Sequence, residues 1–242
     1  MHYLVLFLLL ISAPVAQGAD YVREKKWADE VTPGIVVGDP VYLEQKTGHK
    51  FLTVYTEAPK AKAGLIIVHG MGVHPDWSLI GTLRSALADH GYTTLSVQMP
   101  VLASDAKAED YPATFGEASE RLKVAVDFLQ AKGYKKIAIV SHSMGSRMTH
   151  FFLSTYREAQ VNAWVSIGIA GDDDFTRMKL PVLDLYGEND SPTVLKHAKK
   201  RAASIKERTG SLQIMAPKAD HFFTQLHPEL VRYVKDFLDK LL

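Results

Sequence analysis

The stretch KKIAIVSHSMG, residues 135–145, decides how this chain is read. Four of its residues, Ile137 to Val140, form a short β-branched and apolar run of the kind that fills a strand buried on both faces. The run ends directly on SHSMG at 141–145. A strand that passes straight into a helix through small-x-Ser-x-Gly forces the serine backbone into a tight turn and lifts its Oγ away from the sheet edge. Ser143 is therefore the candidate nucleophile. Gly145, and Ser141 where a glycine is commoner, are small enough to let strand and helix approach. The string alone is weak, because small residues are abundant in every protein. Its weight depends on what lies around it.

Outward from 137–140 the same kind of run recurs at 65–68, 93–97, 163–169, 182–186 and 212–215. Amphipathic stretches separate these runs. Leu79, Ile80, Leu83 and Leu87 repeat at helical spacing, as do Leu122, Ala125, Val126 and Leu129, then Met148, Phe151, Phe152 and Tyr156. Leu230, Val231, Val234, Leu238 and Leu241 close the chain in the same way. Residues 193–209 are mostly polar, which predicts a peripheral helix. Strand, helix, strand in repetition predicts a mainly parallel sheet with helices on both faces. VYLEQKTGHKFLTVYTE from Val41 alternates on either side of 47–49 and predicts a β-hairpin at the antiparallel edge of that sheet.

In such a sheet ligands bind beyond the carboxyl ends of the strands, and each reactive residue follows a strand. HGMG at 69–72 follows 65–68, and its glycines let the backbone turn so that the Met71 N–H can face a developing oxyanion; the Met144 N–H, in the first turn after Ser143, can supply the other donor. Asp190 lies in GENDSP after VLDLYG, and His221 lies in KADHFF after LQIM. The order is serine, aspartate, histidine.

These four motifs, each in place, make the chain resemble the α/β-hydrolases over about residues 40–242. The resemblance implies that His221 takes the Ser143 proton and that Asp190 orients the imidazole. Asp172, Asp173 and Asp174 in GDDD stand as reserve acids, since some members of the family place theirs after that strand, while Asp184 lies within a strand and reads as a structural hydrogen-bond partner. The short interval between the strands ending at 169 and starting at 182 leaves no room for a large lid domain. VHPDW at 73–77 resembles an exported bacterial group of the family without an established substrate. In it His74 can overhang the site, Asp76 can cap the next helix and Trp77 can form an apolar wall. Met71, Met144, Phe222 and Phe223 would add apolar surface, with Trp77 and Phe222 the candidate substrate-binding side chains. His142, at the variable elbow position, reads as packing.

The 242 residues are 47% hydrophobic and 23% charged, with Lys and Arg at 28 against Asp and Glu at 27. That near balance gives no field to recruit nucleic acid or an anionic membrane surface. No pair of histidines has metal-ligand spacing and no glycine loop matches a phosphate cradle, so neither a metal nor a cofactor is expected. Residues 4–11, LVLFLLLI, followed by SAPVAQGAD, have the layout of a secretory signal peptide of about residues 1–18, too short for a membrane span. Without cysteine there is no disulfide framework and no lipidated anchor. The expected organisation is signal peptide 1–18, an N-terminal arm 19–39 forming a short helix or a mobile segment, and one domain over 40–242. The expected protein is an exported bacterial serine hydrolase, periplasmic or secreted, acting on a small ester or acyl substrate. A catalytically silent binding protein of the bacterial envelope on the same fold is the alternative; oligomeric state is not readable.

Overall fold

A computed structural model describes residues 18–242. The expected signal peptide thus falls almost wholly outside the described residues. Among those described, no helix is long and apolar enough to cross a membrane.

Eight strands form one sheet: β1 (Asp39–Glu44), β2 (Lys50–Thr56), β3 (Gly64–Val68), β4 (Thr93–Val97), β5 (Ile137–His142), β6 (Ala163–Ile167), β7 (Val182–Asn189) and β8 (Leu212–Asp220). Their order is β1-β2-β4-β3-β5-β6-β7-β8. The β1–β2 hairpin is antiparallel and joins β4 antiparallel; every other pairing is parallel. Among the described residues the six α-helices are α1 (Tyr21–Val31), α2 (Ser78–Asp89), α3 (Phe115–Ala131), α4 (Met144–Thr155), α5 (Pro192–Ile205) and α6 (His227–Leu238).

Alternation along the central strands divides the core in two. Leu65 and Ile67 of β3 pack with Leu79, Leu83 and Leu87 of α2 and Leu230 and Val234 of α6 on one face. Ile66 and Val68 pack with Leu122 and Leu129 of α3 and Met148 and Phe152 of α4 on the other. Fourteen residues, 168–181, connect β6 to β7, and no large lid is inserted there.

Two expectations change. The N-terminal segment is a docked helix. Asp20 caps α1 by accepting the Arg23 N–H, and Glu24, 4% exposed, accepts two hydrogen bonds from the guanidinium of Arg121 on α3 at 2.9 and 3.2 Å. Helix α5 is polar on its outside but not peripheral throughout. Its Arg201 is fully buried against Asp184 of β7, at 2.9 and 3.1 Å. Its Nη1 also donates to Val194 O at 3.0 Å, while Nη2 is buried without a partner; a buried guanidinium is tolerable only with its charge paired, and composition alone does not disclose the pairing.

Candidate active site

Ser143 sits between β5 and α4 at φ 56°, ψ −122°. That left-handed φ is costly for a residue with a Cβ and persists only where surrounding structure over-determines it. Two features hold it. The Ser143 N–H donates to Ile167 O at 2.8 Å, extending the β5–β6 pairing past the last strand residue. Gly145 lies so close to β3 that a Cβ there would stand 2.2 Å from His69 O, so α4 can start in this place only with glycine at 145.

Ser141 is built into a polar contact. Its Oγ accepts the Trp164 Nε1–H at 2.8 Å and lies 3.1 Å from Ser146 Oγ, in a fully enclosed setting. This serine therefore supplies the acceptor that buried Trp164 needs.

His221 follows β8 and joins Ser143 to Asp190. Its Nε2 lies 2.9 Å from Ser143 Oγ and its Nδ1 2.6 Å from Asp190 Oδ1. With Nδ1–H donating to the carboxylate, Nε2 is free to accept the serine O–H. Burial pushes the Asp190 carboxyl up, but hydrogen bonding and charge from His221, with N–H donors of Gly187 and Ser191, outweigh it and hold the group below the usual carboxylate range. Gly168, after β6, makes room for the pair: at φ +58° it faces His221, and a Cβ there would meet the ring at 3.0 Å. Nothing in the sequence singles out that glycine.

The other aspartates lie elsewhere. Asp172 pairs with Lys200 at 2.9 Å, Asp173 with Arg147 at 3.2 Å, and Asp174 binds Thr176. Asp184 is held by Arg201 and accepts from Gln213 at 2.7 Å, the structural role expected of it. Among the described residues, Asp190 is the carboxylate that bonds His221.

His142 packs its ring 4.8 Å from that of His221 and lies 2.9 Å from the His221 carbonyl oxygen through Nε2. Burial, and then the nearby His221, push its pKa down to about 4, so it is a neutral donor that fixes the backbone of His221. Phe222 stands against both imidazoles and makes an edge contact with Trp77 at 5.6 Å. These two candidate binding residues form one apolar wall beside His221. Met71 is exposed, but the Met144 side chain enters the α3–α4 core. Phe223, at φ 52°, is buried in the α2–α6 core. Asp76 does not cap α2; it accepts from Arg84 one helix face along, at 2.6 Å. His74 packs on Trp27 of α1 at 6.0 Å, edge to face.

The Met71 and Met144 N–H groups have no hydrogen-bond acceptor among the described residues. Gly70 brings the loop after β3 against Ser143, its Cβ direction ending 3.1 Å from Ser143 Cβ. His69 is fully buried, with Nδ1 2.8 Å from Gly70 O, and burial pushes its pKa down to about 3. Among the described residues, no cluster of His, Cys, Asp or Glu could hold a metal ion.

A model for lecithin:cholesterol acyltransferase matches residues 114–228, and one for a protein of unknown function (DUF3530) matches residues 39–120. Each spans less than half of the chain. No curated protein matches at a significant level. Solved structures share the architecture throughout. A serine α/β-hydrolase without lid from Xanthomonas campestris superposes with a TM-score of 0.67 at 15% identity, over 85% of this chain and 95% of its own. Dienelactone hydrolase from Anabaena variabilis gives 0.68 at 18% identity, over 84% and 98%. An esterase from Pyrococcus furiosus gives 0.67 at 16% identity, over 84% and 90%. The fold is the α/β-hydrolase fold, a mostly parallel sheet with an antiparallel N-terminal pair and no large lid.

Proposed function

We propose that the protein is a serine hydrolase that cleaves a carboxylic ester or related acyl bond through an acyl-enzyme intermediate. The observation that carries this reading is the unbroken hydrogen-bonded line Asp190, His221, Ser143, ending on a serine held at a strained turn.

In the proposed reaction Ser143 Oγ bonds to the substrate carbonyl carbon while its proton passes to His221 Nε2. The carbonyl π electrons move onto oxygen, where the Met71 and Met144 N–H groups hold the charge. The tetrahedral species then breaks its bond to the leaving oxygen, which takes the proton from Nε2. Water repeats the sequence on the acyl-enzyme: it gives a proton to His221, adds to the carbonyl and releases the acid, and Ser143 regains its hydrogen. Asp190 stays ionised and holds the imidazole in the productive tautomer. The Trp77–Phe222 wall favours an uncharged, apolar group beside His221. The hydrolase and esterase names of the structurally similar proteins support the class of reaction, and the leader-like residues 1–18 support export to the periplasm or beyond.

The test is labelling of the purified protein with a fluorophosphonate probe beside Ser143→Ala and His221→Ala. Labelling of the wild type that disappears in Ser143→Ala is expected. Folded wild-type protein that takes no label at Ser143 would sink the reading and leave the silent binding protein. A short-to-long panel of acyl esters then ranks chain length.

A further inference from the structure

The loop that presents Met71 is held by a buried chain of polar contacts that starts outside the site. Two N–H donors converge on His69 Nε2: the Met99 backbone at 2.9 Å and the Gln98 side chain amide at 3.1 Å. A nitrogen that accepts cannot carry the proton, so the imidazole proton lies on Nδ1 and is donated to Gly70 O. The second hydrogen of the same Gln98 Nε2 goes to Met99 O at 2.8 Å. This fixes the amide orientation, because the flipped amide would set two acceptors against each other.

Gly70 C=O and Met71 N–H belong to one planar trans peptide group. Holding the oxygen therefore sets the direction of the N–H. Gln98 is itself 1% exposed and held from behind. Its backbone oxygen accepts from Arg121 Nη1 at 3.0 Å, and Arg121 is ion-paired with Glu24 of α1. Glu24 accepts the Val101 N–H at 3.2 Å, the Asp20 N–H donates to Val101 O at 2.7 Å, and Arg23 donates to Leu102 O at 2.6 Å. Residues 98–102 are thus clamped by α1 and α3 on one side and grip His69 on the other.

We propose that Gln98 is a positioning residue of the oxyanion hole: it selects the Nδ1–H tautomer of His69 and through the Gly70–Met71 peptide aims the Met71 N–H at the reacting carbonyl. This rests on the acyl-transfer reading above. Neither Gln98 nor Arg121 touches substrate, and both act through His69.

Two variants and two readouts test it. Gln98→Met keeps the volume and removes the donor; Gln98→Glu puts an acceptor opposite His69 Nε2 and favours a proton there. Against an ester that the wild type turns over, kcat is expected to fall about 10- to 100-fold, most in Gln98→Glu, with KM little changed. Affinity for a boronic acid, whose tetrahedral adduct occupies the oxyanion hole, is expected to fall by the same factor. In parallel, long-range 1H–15N spectra, with His69 assigned through His69→Asn, are expected to show Nδ1–H in the wild type and a proton on Nε2 in Gln98→Glu. Folded variants with wild-type kcat and boronate affinity overturn the proposal, as does a wild-type His69 protonated at Nε2. A lowered melting temperature with unchanged kinetics reduces Gln98 to a structural role and overturns it equally. The spectra do not depend on turnover, so a failure of the hydrolase reading is separable from a failure of the tautomer relay.

Discussion

Replacing Ser141 by glycine is expected to destabilise this protein. Ser141 Oγ is the acceptor for Trp164 Nε1–H at 2.8 Å, and both side chains are buried. Leaving that indole N–H without a partner costs about 1–3 kcal/mol, and glycine within strand β5 adds roughly 0.5–1 kcal/mol of backbone entropy. The total of about 1.5–4 kcal/mol corresponds to a fall in Tm of roughly 3–16 °C for a domain of this size. Ser141→Ala isolates the hydrogen-bond part at about 1–3 kcal/mol. Chemical denaturation of Ser141→Ala, Trp164→Phe and the double variant closes a cycle in which the coupling should be about 1–2 kcal/mol. Labelling of Ser143 in folded protein is expected to persist, since Ser141 Oγ touches neither Ser143 nor His221. A Ser141→Gly protein as stable as the wild type, or a coupling near zero, would refute the reasoning and leave Ser141 as a neutral replacement.

Asp184 and Asp190 should separate cleanly. Asp184→Ala strands buried Arg201 and is expected to lose about 3–5 kcal/mol of stability, whereas Asp184→Leu with Arg201→Met should recover much of it; urea melts decide. Asp190→Asn is expected to keep the fold and lower kcat about 10³- to 10⁴-fold, measured on any ester the wild type cleaves. Asp190 also has a signature in acid. Because its folded carboxyl is held below the unfolded value of about 3.9, its contribution is present above that pH and is lost as pH falls through the depressed folded value. Stability measured against pH should therefore fall less steeply on the acid side in Asp190→Asn than in the wild type; parallel curves would contradict the hydrogen bonding assigned to Asp190.

The central strands, most helices and the order of serine, aspartate and histidine were legible because each rests on local pattern. Val and Ile runs mark strands buried on both faces, and a reactive residue one step past such a run has little choice of edge. The contacts that tune the site were not legible. Gly168 looks like any glycine until His221 arrives from a strand 44 residues later in sequence. The apolar pair Phe222 and Phe223 reads as one patch, yet the first is exposed and the second lies in the core. Segment 21–31 reads as a polar helix or arm because its single buried carboxylate, Glu24, finds its partner almost 100 residues away, at Arg121.

KKIAIVSHSMG thus determined by itself that a buried strand turns sharply at Ser143, since strand burial, small flanking residues and a glycine are local properties. Whether His221, Asp190 and the loop at 69–72 stand beside that serine depended on which strand ends lie side by side. Only the tertiary structure decided that, because hydrogen bonds of 2.6 and 2.9 Å between residues 31 and 78 positions apart are set by packing across the sheet and leave no periodic trace in the sequence. The same holds for Ser141, whose variation on the elbow became intelligible only when the Trp164 indole of the neighbouring strand was seen to need an acceptor.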